Sequence, residues 1–324
     1  MSIRIEATTL DDLLNKALEY LFANGEQVRA SRGGFREVLG PTLVLTNPRA
    51  RLSRSETRSK VFSAVGELLW YLTKATDLEY IDWFNPGKYA KESVDNKTVR
   101  SGYGDRLFKW RGIDQVQNVI DLLRNRQSSR QAVIQIIDAE DVASREVAVP
   151  CTNTLQFLVR ADRLHLVVSM RSNDAYIGFP HDVFAFTMLQ ELVARTLGVE
   201  LGTYIHTVGS FHLYDDNVEG AKDYLREGFQ NIVPMTPMPM GDPWNAINEV
   251  LKFEGLVRAA PFSEVPTLDP YWADICRVLA IYALTKSDQA EALATCEKIA
   301  GAVTNRAYGM FIDARVSKLR EKNA

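Results

Sequence analysis

Two alternating apolar stretches, TLQFLVR and HLVVSM, flank the short turn Ala161-Asp162-Arg163. A period-two pattern broken by a tight turn is the pattern of a β-hairpin, and it commits the middle of the chain to a sheet. The period then changes: between residues 183 and 197 apolar side chains fall at 184, 188, 189, 192, 193 and 197, which is helical spacing. Alternation returns in YIHTVGSFHLY, a further strand. Helices and antiparallel-looking strands interleave, so the fold class is α+β.

Upstream, residues 10 to 23 read as an amphipathic helix, Arg32-Gly33-Gly34 as a turn, and LGPTLVLT as a strand. Residues 58 to 74 read as a helix buried on most sides, interrupted by the single charge of Glu67. A lone glutamate in such a helix ordinarily sits at a boundary facing water. A loop rich in Gly, Asn and Lys runs from 84 to 106, followed by a helix over 112 to 125 and a strand in QAVIQIIDA. From about residue 221 the character changes. The run PMTPMPMGDP at 234 to 243 reads as a linker in which Met235, Met238 and Met240 pack against the body; helices over 269 to 285 and 287 to 303 and a short polar tail follow. These shifts divide the chain into a larger part, 1 to 220, and a helical extension, 221 to 324, packed on it.

Composition narrows the class further. Net charge is −3, with 38 Lys and Arg against 41 Asp and Glu, and no long basic run marks a nucleic-acid polymer as partner. The cysteines Cys151, Cys276 and Cys296 are too scattered for a disulfide framework or a zinc pair, which fits a reducing cytoplasm. His165, His181 and His206 have no spacing suited to a metal. The first 22 residues alternate charged and apolar positions and show neither a secretion signal nor a membrane span.

The chemistry concentrates in PCTNTLQFLVRADRLHLVVSMRSNDAYIGFPHDVFAF. Cys151 follows a proline at a strand start, and Arg171-Ser172 ends the second strand of the hairpin, so folding brings arginine to the thiol. A neighbouring cation favours the thiolate, the nucleophilic form. By itself a single cysteine is most often a small buried hydrophobe.

The order Pro150, Cys151, Gln156, Arg171, Ser172, Asp174, Gly178, Asp182, Gly209, His212, Tyr214 resembles the thymidylate synthase superfamily. Glu67-Leu-Leu-Trp, Tyr103-Gly104, Ser129-Arg130 and Arg32 also fall where that family has counterparts, and the likeness covers roughly residues 1 to 220. The resemblance implies a mixed sheet with surrounding helices. Within the superfamily the chain looks most similar to the cytidylate and deoxycytidylate 5-hydroxymethylases, including the CMP hydroxymethylase of mildiomycin-type antibiotic pathways. Thymidylate synthases usually carry His, Asn and Asp where this chain has Thr152, Asp182 and Ser210. An Asn amide offers both an acceptor and a donor to uracil, whereas a carboxylate accepts from the cytosine amino group and opposes O4 of uracil with like polarity. Each such mismatch costs on the order of 1–3 kcal/mol. As a structural alternative, Asp182 would be the N-cap of the helix beginning at 183.

What the resemblance implies is specific. Cys151 adds to C6 of the pyrimidine of CMP or dCMP, C5 takes a one-carbon unit from 5,10-methylenetetrahydrofolate, and water or hydride completes it as hydroxymethyl or methyl. Glu67 orders water and proton transfer, its carboxyl raised by apolar surroundings, and Tyr103 helps remove the C5 proton. Arg32, Arg171 and Ser172 hold the phosphate with Arg130 from the partner of a homodimer; Gln131 stands where the family has a second arginine. Gln156 meets the nucleotide, His212 and Tyr214 hold the 3′-hydroxyl, and Asp174, Gly178 and Trp83 line the folate site. The alternatives are a methylating synthase acting on dUMP or dCMP, and a nucleotide-binding regulator.

Overall fold

A computed structural model describes residues 3–30, 33–55, 60–143, 148–287 and 289–323. The strands are β1 (Arg4–Ala7), β2 (Glu26–Ala30), β3 (Gly33–Leu39), β4 (Thr42–Leu45), β5 (Val133–Gln135), β6 (Thr152–Arg160), β7 (Arg163–Asp174) and β8 (Glu200–Tyr214). The helices are α1 (Leu10–Asn24), α2 (Val61–Leu72), α3 (Leu78–Phe84), α4 (Tyr103–Phe108), α5 (Gln115–Asn125), α6 (Ala139–Ala143), α7 (Gly178–Leu197), α8 (Val218–Glu227), α9 (Trp244–Ala259), α10 (Pro270–Leu284), α11 (Ala292–Gly301) and α12 (Gly309–Asn323). The α+β class holds.

The strands form one mixed sheet in the order β1-β4-β8-β7-β6-β5, with β3 also on β8 and β2 on β3. Length lets β8 serve two neighbours on one edge. Residues 204–207 pair with β4 and residues 210–214 with β3, both antiparallel. The β6–β7 hairpin closes at Ala161 and Asp162, both at positive φ (48° and 55°), as a two-residue turn matched to strand twist requires. Leu155, Phe157 and Val159 on β6, with Leu164, Leu166 and Val168 on β7, face the core. They lie beneath α7, which is buried from Phe179 to Arg195 and carries the chain across to a parallel β8. Gly198, at φ 71°, ends α7 in the left-handed conformation that glycine adopts freely.

Buried residues make a single core running from Ala7 to Leu319 and including Tyr271, Ile281, Tyr308 and Phe311 of the C-terminal helices. Each large apolar side chain taken from water contributes about 1.5–3 kcal/mol, so these helices are held to the sheet-bearing part by ordinary core packing. The Tyr282 hydroxyl of α10 donates to the carbonyls of Trp83 (3.0 Å) and Phe84 (3.3 Å) at the end of α3. Helices α2 and α3 meet closely at Gly66, where a Cβ would lie 2.1 Å from the Phe84 ring.

Several expectations change. Helix α7 starts at Gly178, five residues early, so Asp182 lies inside the helix and is not its N-cap; the cap position is Ile177, and Asp174 Oδ1 accepts the amides of Tyr176 and Ile177. LGPTLVLT is two elements, because Gly40 at φ 67° and Pro41, which has no N–H, separate β3 from β4. The polar tail is largely helix α12, anchored by Ile312, Val316 and Leu319. Met235 and Met238 are buried, but Met240 is 62% exposed. No helix among the described residues is long and apolar enough to cross a membrane.

Candidate active site

A cavity of about 720 Å³ opens between the sheet and helices α2 and α7. One wall comes from β6, β7, α7 and β8: Cys151, Arg171, Ser172, Asn173, Asp174, Gly178, Asp182, His212 and Tyr214. The opposite wall is Glu67, Trp70 and Tyr71 of α2, Lys88 and Tyr89 of the following loop, and Tyr103 of α4. Residues 151 and 182 thus face one space, the condition on which a base-reading carboxylate beside a nucleophile depends.

Hairpin register places the thiol. The Arg171 amide donates to the Cys151 carbonyl at 2.8 Å, closing the open end of the hairpin. The Arg171 guanidinium folds over the strand start, donating to the carbonyls of Pro150 (3.0 Å) and Val149 (2.7 Å), with one nitrogen 3.8 Å from Cys151 Sγ. A cation at that distance attracts a thiolate. On the far side, the Tyr103 hydroxyl accepts from the Thr152 hydroxyl (2.9 Å) and from the Thr152 amide (3.3 Å). Burial, then the charges of Asp182 and Cys151, lift the Tyr103 phenol well above its ordinary range, so it stays protonated.

The two buried carboxyls are driven apart. For Glu67, burial is the largest influence and opposes ionisation. It is outweighed by the charges of Lys88 and His181 and by hydrogen bonds from Tyr71 and Tyr89, and the carboxyl settles at about 2. Tyr71 and Tyr89 each donate to Oε1 at 2.8 Å, and Lys88 Nζ lies 3.2 Å from Oε2. The expectation of a raised value is therefore corrected: apolar surroundings are present, but the charges of Lys88 and His181 and the two tyrosine hydroxyls override them. Asp182 goes the other way. Burial and the neighbouring Glu67 charge push it up to about 7, against lowering by Lys88 and by the Asn173 amide that donates to Oδ2 at 2.7 Å. One cavity therefore holds a permanent anion and a carboxyl that can gain or lose a proton at neutral pH.

A family model described as thymidylate synthase matches residues 25–239. Among relatives, the thymidylate synthase of Bacillus phage phi3T is 30% identical over 203 residues, 58% of this chain and 72% of that protein. Thymidylate synthase 1 of Bacillus subtilis strain 168 matches to the same extent, and the thymidylate synthase of Bacillus atrophaeus is 30% identical over 176 residues, 52% of this chain and 77% of that protein. The chain belongs to the thymidylate synthase family. Membership makes it a folate-dependent one-carbon transferase acting at C5 of a pyrimidine nucleotide, with 5,10-methylenetetrahydrofolate as the donor.

The cavity of this thymidylate synthase family member suits a planar folate head beside a nucleotide. Its volume lies in the range of ligand sites, the rings of Trp70 and Tyr89 bound one side, and Asp174 supplies an acceptor on the other. Of the residues expected at the site, Cys151, Glu67, Asp182, Tyr103, Arg171, Ser172, Asp174, Gly178, His212 and Tyr214 line the cavity together. Three do not. Gln156 sits on the other face of the sheet, its side-chain amide donating to the Arg130 carbonyl at 2.9 Å, and Arg130 is exposed beside it. Trp83 stands edge-on to the Tyr282 ring, 4.9 Å away, with Lys286 over its face. Arg32 lies outside the described residues. Lys88, Tyr89 and Tyr71 were missed because the first two fall in a loop that reads as polar linker and the third as helix core. Asn173 was missed as the variable position of the Arg-Ser-x-Asp motif, although a buried amide between two functional residues is itself a signal.

Proposed function

We propose that this enzyme is a cytidylate 5-hydroxymethyltransferase: CMP or dCMP, 5,10-methylenetetrahydrofolate and water give the 5-hydroxymethyl nucleotide and tetrahydrofolate. The observation that carries this reading is Asp182. It is a buried carboxyl poised near neutrality in the cavity of Cys151, where the amide usual in thymidylate synthases would suit uracil. Cytosine's edge has an acceptor at N3 and a donating amino group, so carboxyl and base together need one shared proton. A group at about 7 can hold that proton or yield it to N3 as the ring is attacked.

Cys151 adds to C6 with Arg171 against its sulfur, which makes C5 nucleophilic. The bound folate supplies the one-carbon unit at C5. Tyr103, a protonated hydroxyl beside Thr152, relays the C5 proton through water. Glu67 stays ionised, so it is an acceptor that aligns water for attack on the exocyclic methylene; elimination of Cys151 then frees the product. Arg171 and Ser172 bind the phosphate, His212 and Tyr214 the sugar hydroxyl. Arg130 serves the phosphate site of a second copy, with Leu158, Val167 and Ile205, half-buried on the outer sheet face, forming the dimer surface.

The relatives are thymidylate synthases, which favours methylation of a uracil nucleotide as the second reading. Incubating the purified protein with methylenetetrahydrofolate and CMP, dCMP or dUMP in turn, and weighing the products, decides between them. Gain of CH2O on a cytosine nucleotide supports the proposal. Gain of CH2 on dUMP, with formation of dihydrofolate, sinks it.

A further inference from the structure

A carboxyl has two chemically equivalent oxygens, and alone it can hold a proton on either. The 3,4-edge of cytosine is not symmetric, so an acid that reads it must present its acceptor and its proton in a fixed order. Behind Asp182 lies a row of buried polar groups that the catalytic scheme does not use. Asn173 Nδ2 donates to Asp182 Oδ2 at 2.7 Å, and Asn173 Oδ1 lies 3.0 Å from His206 Nε2. His206 Nδ1 in turn lies 2.7 Å from the Tyr204 hydroxyl. Tyr204 and His206 are fully buried, and Asn173 is 4% exposed.

Each link sets the polarity of the next. Burial keeps the His206 ring neutral, with its pKa down at about 3, so it has one N–H and one lone pair. Burial likewise keeps the Tyr204 phenol protonated. With its Nδ2 donated to Asp182, Asn173 presents Oδ1, an acceptor only, to the ring, so the ring proton sits on Nε2 and Nδ1 is left to accept from the Tyr204 hydroxyl. Held from behind by that N–H, the amide keeps its NH2 group toward Asp182. We propose that Tyr204, His206 and Asn173 form a directional hydrogen-bond chain that makes Oδ2 of Asp182 a fixed acceptor and assigns the shared proton to Oδ1, so that base choice is set by four residues and not by residue 182 alone. The three are positioning residues, and the inference rests on the reading that Asp182 faces the base.

The full-length enzyme is assayed for kcat/KM on CMP, dCMP, UMP and dUMP, with thermal melts to establish folding. Tyr204→Phe and His206→Leu, neither of which lines the cavity, are expected to lower the cytosine-to-uracil ratio by roughly tenfold, the size of one buried hydrogen bond. His206→Gln, whose amide can accept from Tyr204 and donate to Asn173, is expected to keep most of the preference, which loss of packing alone would not do. Folded Tyr204→Phe and His206→Leu proteins with an unchanged ratio overturn the chain. If Asp182→Asn shifts the ratio toward uracil while those two do not, only the chain fails; if Asp182→Asn also changes nothing, the reading of residue 182 fails with it. Nitrogen-15 NMR of the imidazoles tests the unmodified protein directly: a His206 ring protonated on Nε2 supports the chain, and one protonated on Nδ1 refutes it.

Discussion

Asp182→Asn should stabilise the empty enzyme, and should do so in a pH-dependent way. The substitution keeps shape and keeps an oxygen for the Asn173 amide, but removes a carboxyl lifted from its ordinary 3.8 to about 7. An acid whose pKa is raised by folding binds more protons folded than unfolded between those two values, so stability falls as pH rises through that window and is level above it. Full ionisation carries a penalty of roughly 4 kcal/mol by this measure. Somewhat under half of it is already present at pH 5, so the variant should gain roughly 3 kcal/mol over the parent between pH 5 and pH 8. His206, held at about 3, has the opposite slope, but it is common to both proteins and cancels in the difference. Urea unfolding of parent and variant at the two pH values measures the gap. A control with Glu67→Gln in both chains should narrow it, because the Glu67 charge is one of the causes lifting Asp182. An advantage of the same size at pH 5 and pH 8, or a parent more stable at pH 8, would refute the argument.

Lys88→Met removes the charge that does most to hold the Glu67 carboxyl down, so the acid limb of the pH–rate profile should move to higher pH. Tyr282→Phe deletes the one hydroxyl proton shared between the carbonyls of Trp83 and Phe84, a bifurcated hydrogen bond worth about 1 kcal/mol in all. Because those residues precede the loop bearing Lys88 and Tyr89, the variant should melt earlier and also show a lower kcat; a lower melting temperature with unchanged kcat would confine Tyr282 to stability.

The hairpin, its helix and the following strand were legible because each announces its period locally, and most chemical residues ride on those three elements. Asp182's place inside α7 was also open to reading, since Pro180 is tolerated only near a helix start, yet the apolar count alone put the start at 183. Helix α12 hid because its buried side chains, at 311, 312, 316 and 319, are few among charged neighbours. The sign of the Glu67 shift was beyond a linear reading. Burial of Glu67 shows in its neighbours, but Lys88 and Tyr89 lie 21 and 22 residues away and meet it only because α3 folds back along α2.

That distant contribution matters to the chemistry. Burial raises both carboxyls in this cavity, and two of them without other support would share one proton between them. Three donors on Glu67 break the symmetry, so the negative charge stays there and its field helps keep Asp182 at about 7. The carboxyl that orders water and the carboxyl that exchanges a proton with the base are thus defined by each other. Removing the donors to Glu67 should damage base reading as well as water attack, and Lys88 links the two directly, since its charge lowers both carboxyls.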